Sequence, residues 1–176
     1  MKIHCLSDAR LPILTFLVTL TVVSFIAISC GHVDTGWKGK TAKHKDNTAI
    51  VTGKQQNLSW KSRSVDVDYT YSIKNDNLSI EGTVNVAHHI ENTFMTLHYF
   101  SVFLNLLDDS NLILDSRAIV SAGSTPIRPF RFKEEIPLPP GATQLNFSYS
   151  GVAAEGGSIK SGGDDGGVSY SLWQNP

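Results

Sequence analysis

Cysteine is nearly absent, with two in 176 residues, Cys5 and Cys30. A disulfide framework needs more, and a thiolate zinc site needs closely spaced pairs. There is also no CxxC, no HExxH and no GxSxG elbow. These gaps remove the commonest signatures of redox, metalloprotease and serine-hydrolase chemistry. An excess of positive charge is missing too: 15 Lys+Arg stand against 16 Asp+Glu, for a formal charge of −1. Nucleic-acid binders use a basic excess to displace counterions, so no nucleic acid is expected as a partner. Hydrophobic residues make up 41% and charged residues 18%, a globular rather than disordered mixture. The length suits one domain.

What is present begins with an address. Lys2 and Arg10 precede residues 11–29, which carry no charged side chain. About 20 apolar residues match a bilayer, and a shorter apolar core serves a secretory signal. The stretch ends in Ala27-Ile28-Ser29-Cys30, an order that resembles the lipobox of bacterial lipoproteins. The resemblance implies cleavage after Ser29, thioether lipidation of Cys30 and acylation of the new N-terminus. The rival expectation is an uncleaved membrane anchor. Cleavage would remove Cys5 and leave 147 residues without a free thiol. Such a domain is held by its core alone, and about 150 residues suffice to bury two-thirds of the unfolded surface. Gly31, not Asp, follows Cys30. The expected location is therefore the cell envelope, at the outer membrane facing the periplasm where the host has two membranes.

Charge then divides the chain. Residues 31–64 hold seven basic and two acidic side chains, and residues 65–176 hold six and thirteen. The expected organisation is a signal peptide over 1–29, a lipid-anchored basic tether over 30–64 and a β-sandwich over 65–176. The tether reads as mostly unstructured, with one short edge strand at Ala49-Ile50-Val51. Its expected role is spacing, with attraction to anionic lipid heads as the sharper alternative. Trp37 suits a membrane interface.

Beyond residue 64 the pattern has period two. Residues 65–73 alternate apolar and polar without a fault, Lys74-Asn75-Asp76-Asn77 supplies turn residues, and 78–86 alternate again except at Gly82. This spacing predicts a β-hairpin. Residues 94–107 are apolar on both phases, as in a central strand covered on both faces. Further strands are expected from residue 112, over 130–133, over 145–149 and over 168–172. The fold class is all-β, an antiparallel immunoglobulin-like β-sandwich of about seven to eight strands with no helix after the signal. Val67, Tyr69, Tyr71, Ile80, Val84, Phe147 and Tyr149 should face inward, and Ser148 outward. Ile80-Glu81-Gly82-Thr83-Val84-Asn85, with residues 103–109 leading into Leu112-Ile113-Leu114, loosely resembles FxLYD-type domains of bacterial envelope proteins. That resemblance implies an Ig-like fold and no particular chemistry.

Several side chains invite a chemical role. His88, His89 and His98 are candidate metal ligands, with Glu91 to complete a site. The adjacent pair would diverge on a strand, so loop histidines without a ligand are expected. Asp66 and Asp68 share a strand face, where a solvated surface explains them. Asp108-Asp109-Ser110-Asn111 reads as a turn before a calcium loop. Residues 156–167 carry six glycines with Lys160-Ser161 and Asp164-Asp165, and read as a flexible connection, since no helix follows to complete a phosphate loop.

The expectation is thus an envelope lipoprotein that is not an enzyme, holding the membrane through Cys30 and binding a protein partner or serving structurally. It is expected to have no catalytic residues, cofactor or metal. The alternative is a small-molecule or metal carrier using the histidines or the Asp-Gly loop.

Overall fold

The computed structural model describes residues 36–43, 47–53, 56–155 and 168–176. Chain contacts separate Met1–Val33 from a compact unit, Asp34–Pro176, and everything below belongs to the second. The signal stretch, Cys30 and the Gly-rich run 156–167 lie outside the described residues.

The unit is an antiparallel sandwich of two sheets. Its elements are β1 (Thr48–Ala49), β2 (Gln56–Lys61), β3 (Val65–Lys74), β4 (Asn77–Val86), α1 (His88–Glu91), β5 (Thr96–Leu107), β6 (Ile113–Ala122), β7 (Thr125–Pro126), β8 (Phe130–Pro137), β9 (Gln144–Ala154) and β10 (Ser169–Gln174). One sheet runs β2-β3-β4-β8. The other is built on β9-β5-β6, with β1 and β10 along the free side of β9 and β7 beside β5. If β3, β4, β5, β6, β8, β9 and β10 are labelled A, B, C, C′, E, F and G, the sheets read A-B-E and C′-C-F-G. That is the connectivity of immunoglobulin-type sandwiches, with β2 added outside A.

The hairpin β3–β4 follows from its sequence. Asn75 and Asp76 take φ of 51° and 57°, the left-handed pair that matches the twist of a two-residue hairpin turn. Register runs Lys74↔Asn77 to Val65↔Val86 without a shift. All seven side chains expected inward are buried. Gly82 lies in the inward phase because a Cβ there would run into the Asp68 carbonyl and Tyr69 Cα of the neighbouring strand. Trp60, Tyr69 and Phe147 form the aromatic centre, with Phe147 5.0 Å from Tyr69 and 5.7 Å from Trp60 between ring centroids. Burial pushes the Tyr69 phenol above its ordinary pKa, opposed by its hydrogen bond to Thr48 Oγ1 at 3.1 Å.

Three expectations change. First, the basic segment 30–64 contains two strands. β2 pairs with β3 from Gln56↔Tyr71 to Lys61↔Asp66. Two inward side chains, Leu58 and Trp60, gave too short an alternation to be read as a strand. The short edge strand sits at Thr48–Ala49, beside Leu145 and Gln144 of β9. Second, a helical turn, α1, follows β4. Its Ile90 is buried, and the Thr93 hydroxyl donates to the His89 carbonyl at 2.8 Å. Third, Ser148 is buried, because the outer face of the β9-β5-β6 sheet is covered.

The cover is the segment 36–43. Ala42 packs with Leu107 and Ile113, and Trp37 leans on that cluster. Its backbone is tied at both ends: Gly39 N–H donates to the Ile113 carbonyl, Ala42 N–H to Asn111 and Lys43 N–H to Pro176, at 2.9, 2.9 and 3.0 Å. Gly36, at φ 53°, lies so close over Ser116 that a Cβ would overlap its hydroxyl. Beneath this strap begins a chain of polar groups, buried at Ser116, Asn105, Ser148 and Asn146 and half-buried at Asn47 and Asn111. The Ser116 hydroxyl donates to Asn105 Oδ1 (2.6 Å). Asn105 Nδ2 donates to Asn146 Oδ1 (3.0 Å) and Ser148 Oγ (3.1 Å). Asn146 Nδ2 donates to Asn47 Oδ1 (2.9 Å), and Asn47 Nδ2 to Asn111 Oδ1 (2.7 Å). Buried amides are tolerated only when satisfied in this way.

The β5–β6 turn is closed by Asp108. Its Oδ1 accepts from the Ser110 hydroxyl, Leu112 N–H and Ser110 N–H at 2.7, 2.9 and 2.9 Å. The Ser110 hydroxyl foremost, then these backbone donors, hold the carboxyl below its usual pKa. A lowered folded pKa makes the contribution complete above the unfolded value, about 3.9, and lost as pH falls through the folded value. Asp108→Asn should therefore be less stable than wild type at neutral pH. The gap in melting temperature should close as pH falls below about 4; a gap independent of pH would refute the assignment.

Candidate functional site

The site begins where the two sheets leave an open side. Among the described residues β2 pairs only with β3 and β10 only with β9, so each offers an edge without a strand partner there. Between them lies a cleft of about 860 Å³. One wall is the β2–β3 turn. The Ser62 hydroxyl donates to the Val65 carbonyl at 2.6 Å, accepts from Val65 N–H at 3.0 Å, and lies 3.3 Å from the Tyr149 hydroxyl. This fixed turn presents Lys61 and Arg63. The opposite wall is β10 with the residues after it. Trp173 stays 60% exposed, and its indole N–H donates to Asn175 Oδ1 at 2.8 Å. The strap supplies Lys43 at one end and sets Trp37 edge-on against Trp173, with centroids 6.0 Å apart. Lys40 Nζ lies over the Trp37 ring, 4.4 Å from its centroid.

Three cations, Lys43, Lys61 and Arg63, thus meet exposed aromatic surface, and among the described residues no Asp or Glu side chain lines the cleft. Pro176, also in the lining, accepts from Lys43 N–H through its carbonyl and so holds the strap. None of the three cations forms an ion pair with another described residue. By contrast, Lys133–Glu81 at 3.1 Å and Arg117–Asp115 at 2.9 Å are paired elsewhere. Unpaired cations beside an aromatic plate are suited to an anionic group carried on a larger, partly apolar body.

The residues singled out in the sequence are not brought together here. His88 and His89 sit on α1, and His88 Nδ1 lies 3.6 Å from Glu91 Oε2 on an exposed surface. His98 occupies the register shift between Leu97 and Tyr99, and its Nε2 is buried without a hydrogen-bond partner among the described residues. Among those residues no three His, Cys, Asp or Glu side chains converge. Asp66 and Asp68 do share the outer face of the β2-β3-β4-β8 sheet, and Asn85 Nδ2 donates to Asp68 Oδ2 at 3.4 Å. That face carries an open groove of about 900 Å³ over Gly82, with charges of both signs. Asp164, Asp165, Lys160 and Cys30 fall outside the described residues.

Sequence reasoning missed the cleft, although two signals were there. The basic residues of 31–64 are concentrated upstream of an acidic domain. Trp173 follows an alternating strand and falls on its outward phase, where a large aromatic is costly to expose. No family model, curated protein or solved structure matches the chain. The chemistry of the cleft therefore rests on its own residues.

Proposed function

We propose that this chain is a lipid-anchored lipoprotein of the cell envelope, held by an acylated Cys30, whose sandwich acts as a non-catalytic binding or structural module. In a host with two membranes it occupies the outer membrane and faces the periplasm. The observation that carries the reading is the succession along the chain: an uncharged run over 11–29, Ser29-Cys30, then a segment that is itself built into the sandwich from Gly36. An extended residue spans at most about 3.5 Å. A lipid on Cys30 would therefore keep Gly36 within about 20 Å of the headgroups. On this reading the link between anchor and sandwich is a few residues rather than a long leash. The free edges of β2 and β10 suit a protein partner that adds a strand. The buried hydroxyls of Ser116 and Ser148 are committed to amide partners, which supports a structural rather than a nucleophilic role.

Mass spectrometry of the membrane-bound protein should find a mature N-terminus at Cys30 carrying acyl chains. Cys30→Ala should abolish both the modification and cleavage after Ser29. An intact Met1 terminus in the membrane fraction would defeat the proposal.

A further inference from the structure

We propose that the cleft between β2 and β10 binds the phosphate headgroup of an anionic membrane lipid, with Lys43, Lys61 and Arg63 as its charge partners and Trp173 seated at the interface. The proposal rests on the anchored reading for the source of the ligand.

Three observations converge on that occupant. The first is charge: the cleft's cations have no carboxylate side chain among its lining residues, while the rest of the domain is acidic. The second is the aromatic component. Trp173 is the most exposed aromatic side chain of the described residues, held rigid by Asn175 and by the edge of Trp37. Indoles partition to the headgroup level of bilayers, where one end is apolar and the other wet. The third is position. Trp37 stands seven residues after Cys30 and touches Trp173, so a lipid on Cys30 would keep this aromatic pair within about 25 Å of the headgroups. A headgroup is the anion in greatest supply within that reach. Lys38 and Lys40, exposed on the same strap, extend the basic surface around the cleft.

Basic residues near an anionic surface each contribute about fivefold in partitioning at low ionic strength. The test uses the mature chain from residue 30 with Cys30→Ser, so that no acyl chain contributes. Vesicles of phosphatidylglycerol mixed with phosphatidylcholine should bind this protein and shift Trp173 fluorescence to the blue. Pure phosphatidylcholine vesicles should not, and added salt should weaken the binding. The triple variant Lys43→Gln, Lys61→Gln, Arg63→Gln should bind roughly a hundredfold more weakly. A charge-matched control, Lys74→Gln, Arg117→Gln, Arg131→Gln, should bind like the parent. Trp173→Ala should lose the blue shift.

Equal binding by the two triple variants, or none by the parent, would overturn the proposal. Saturation of the cleft by inorganic phosphate at the same phosphate concentration would assign it to a free anion and overturn the lipid source. Because this chain carries no lipid, these results are separate from the finding of an acylated or unacylated Cys30 in cells.

Discussion

Phe147→Ala should remove about 3–5 kcal/mol of stability. The ring is 1% exposed and lies at the centre of the sandwich, edge-on to Tyr69 and tilted against Trp60. Its strand, β9, is hydrogen-bonded to β5 on one side and to β1 and β10 on the other. Phe147 is paired with Leu104 of β5, and its neighbours Leu145 and Tyr149 are held by β1 and β10, so the backbone has little freedom to move in and the cavity term adds to the lost transfer energy. Urea unfolding should show a lower midpoint with an unchanged slope. The neighbouring Ser148→Ala should cost about 1 kcal/mol, because Asn105 Nδ2 then loses one of its two acceptors. A Phe147→Ala effect no larger than that of Ser148→Ala would mean that the aromatic cluster is not the core.

The second large effect is expected at Asn105, whose side chain is the branch point of the buried polar chain. Asn105→Ala orphans the Ser116 hydroxyl, Asn146 Oδ1 and Ser148 Oγ together. Each buried polar group left unpaired costs about 1–3 kcal/mol, with relief where a hydroxyl finds another acceptor. A net loss of about 3 kcal/mol is expected. The damage should also be local. Asn146 would no longer be oriented toward Asn47, so the strap would open more readily, and the amides of Gly39 and Ala42 should exchange faster than those of the β3–β4 hairpin. Thr70→Ala is the contrast. Its 2.6 Å hydrogen bond to Asn57 is exposed, and its loss should cost less than about 0.5 kcal/mol. Comparable losses at Thr70 and Asn105 would show that the relay contributes nothing.

The two sheets were legible to very different degrees. In β3 and β4 one face is packed and the other solvated, so alternation states both register and burial. In β5, Phe103 and Leu107 on the second phase declare a second covering layer, and that layer exists. In β9 the same layer rests on Asn146 and Ser148, which look solvent-facing because nothing in a polar side chain tells whether water or another amide satisfies it. Asn47, the partner of Asn146, is 99 residues away from it, and Asn105, the partner of Ser148, is 43 residues away. Leu58 and Trp60 were too few to announce β2, and without β2 the cover appeared to be a tether. The cleft was illegible for a related reason. Lys43, Arg63 and Trp173 come from three separate segments and meet only after the sandwich has closed.

The strap also decides how the domain bears load. A pull transmitted from a membrane-held Cys30 would enter the folded body at Gly36. It would reach the Gly39–Ile113, Ala42–Asn111 and Lys43–Pro176 hydrogen bonds before either sheet feels it. These bonds lie along a short peptide laid over the sheet, so they share little of the force and fail one after another. The β5–β9 pairing, from Thr96↔Ala154 to Leu107↔Gln144, stands behind them as a long ladder that has to yield together. Under the proposed anchoring, tension would therefore reach the strap before either sheet, and peeling it would wet the amide chain beneath while the β5–β9 ladder held.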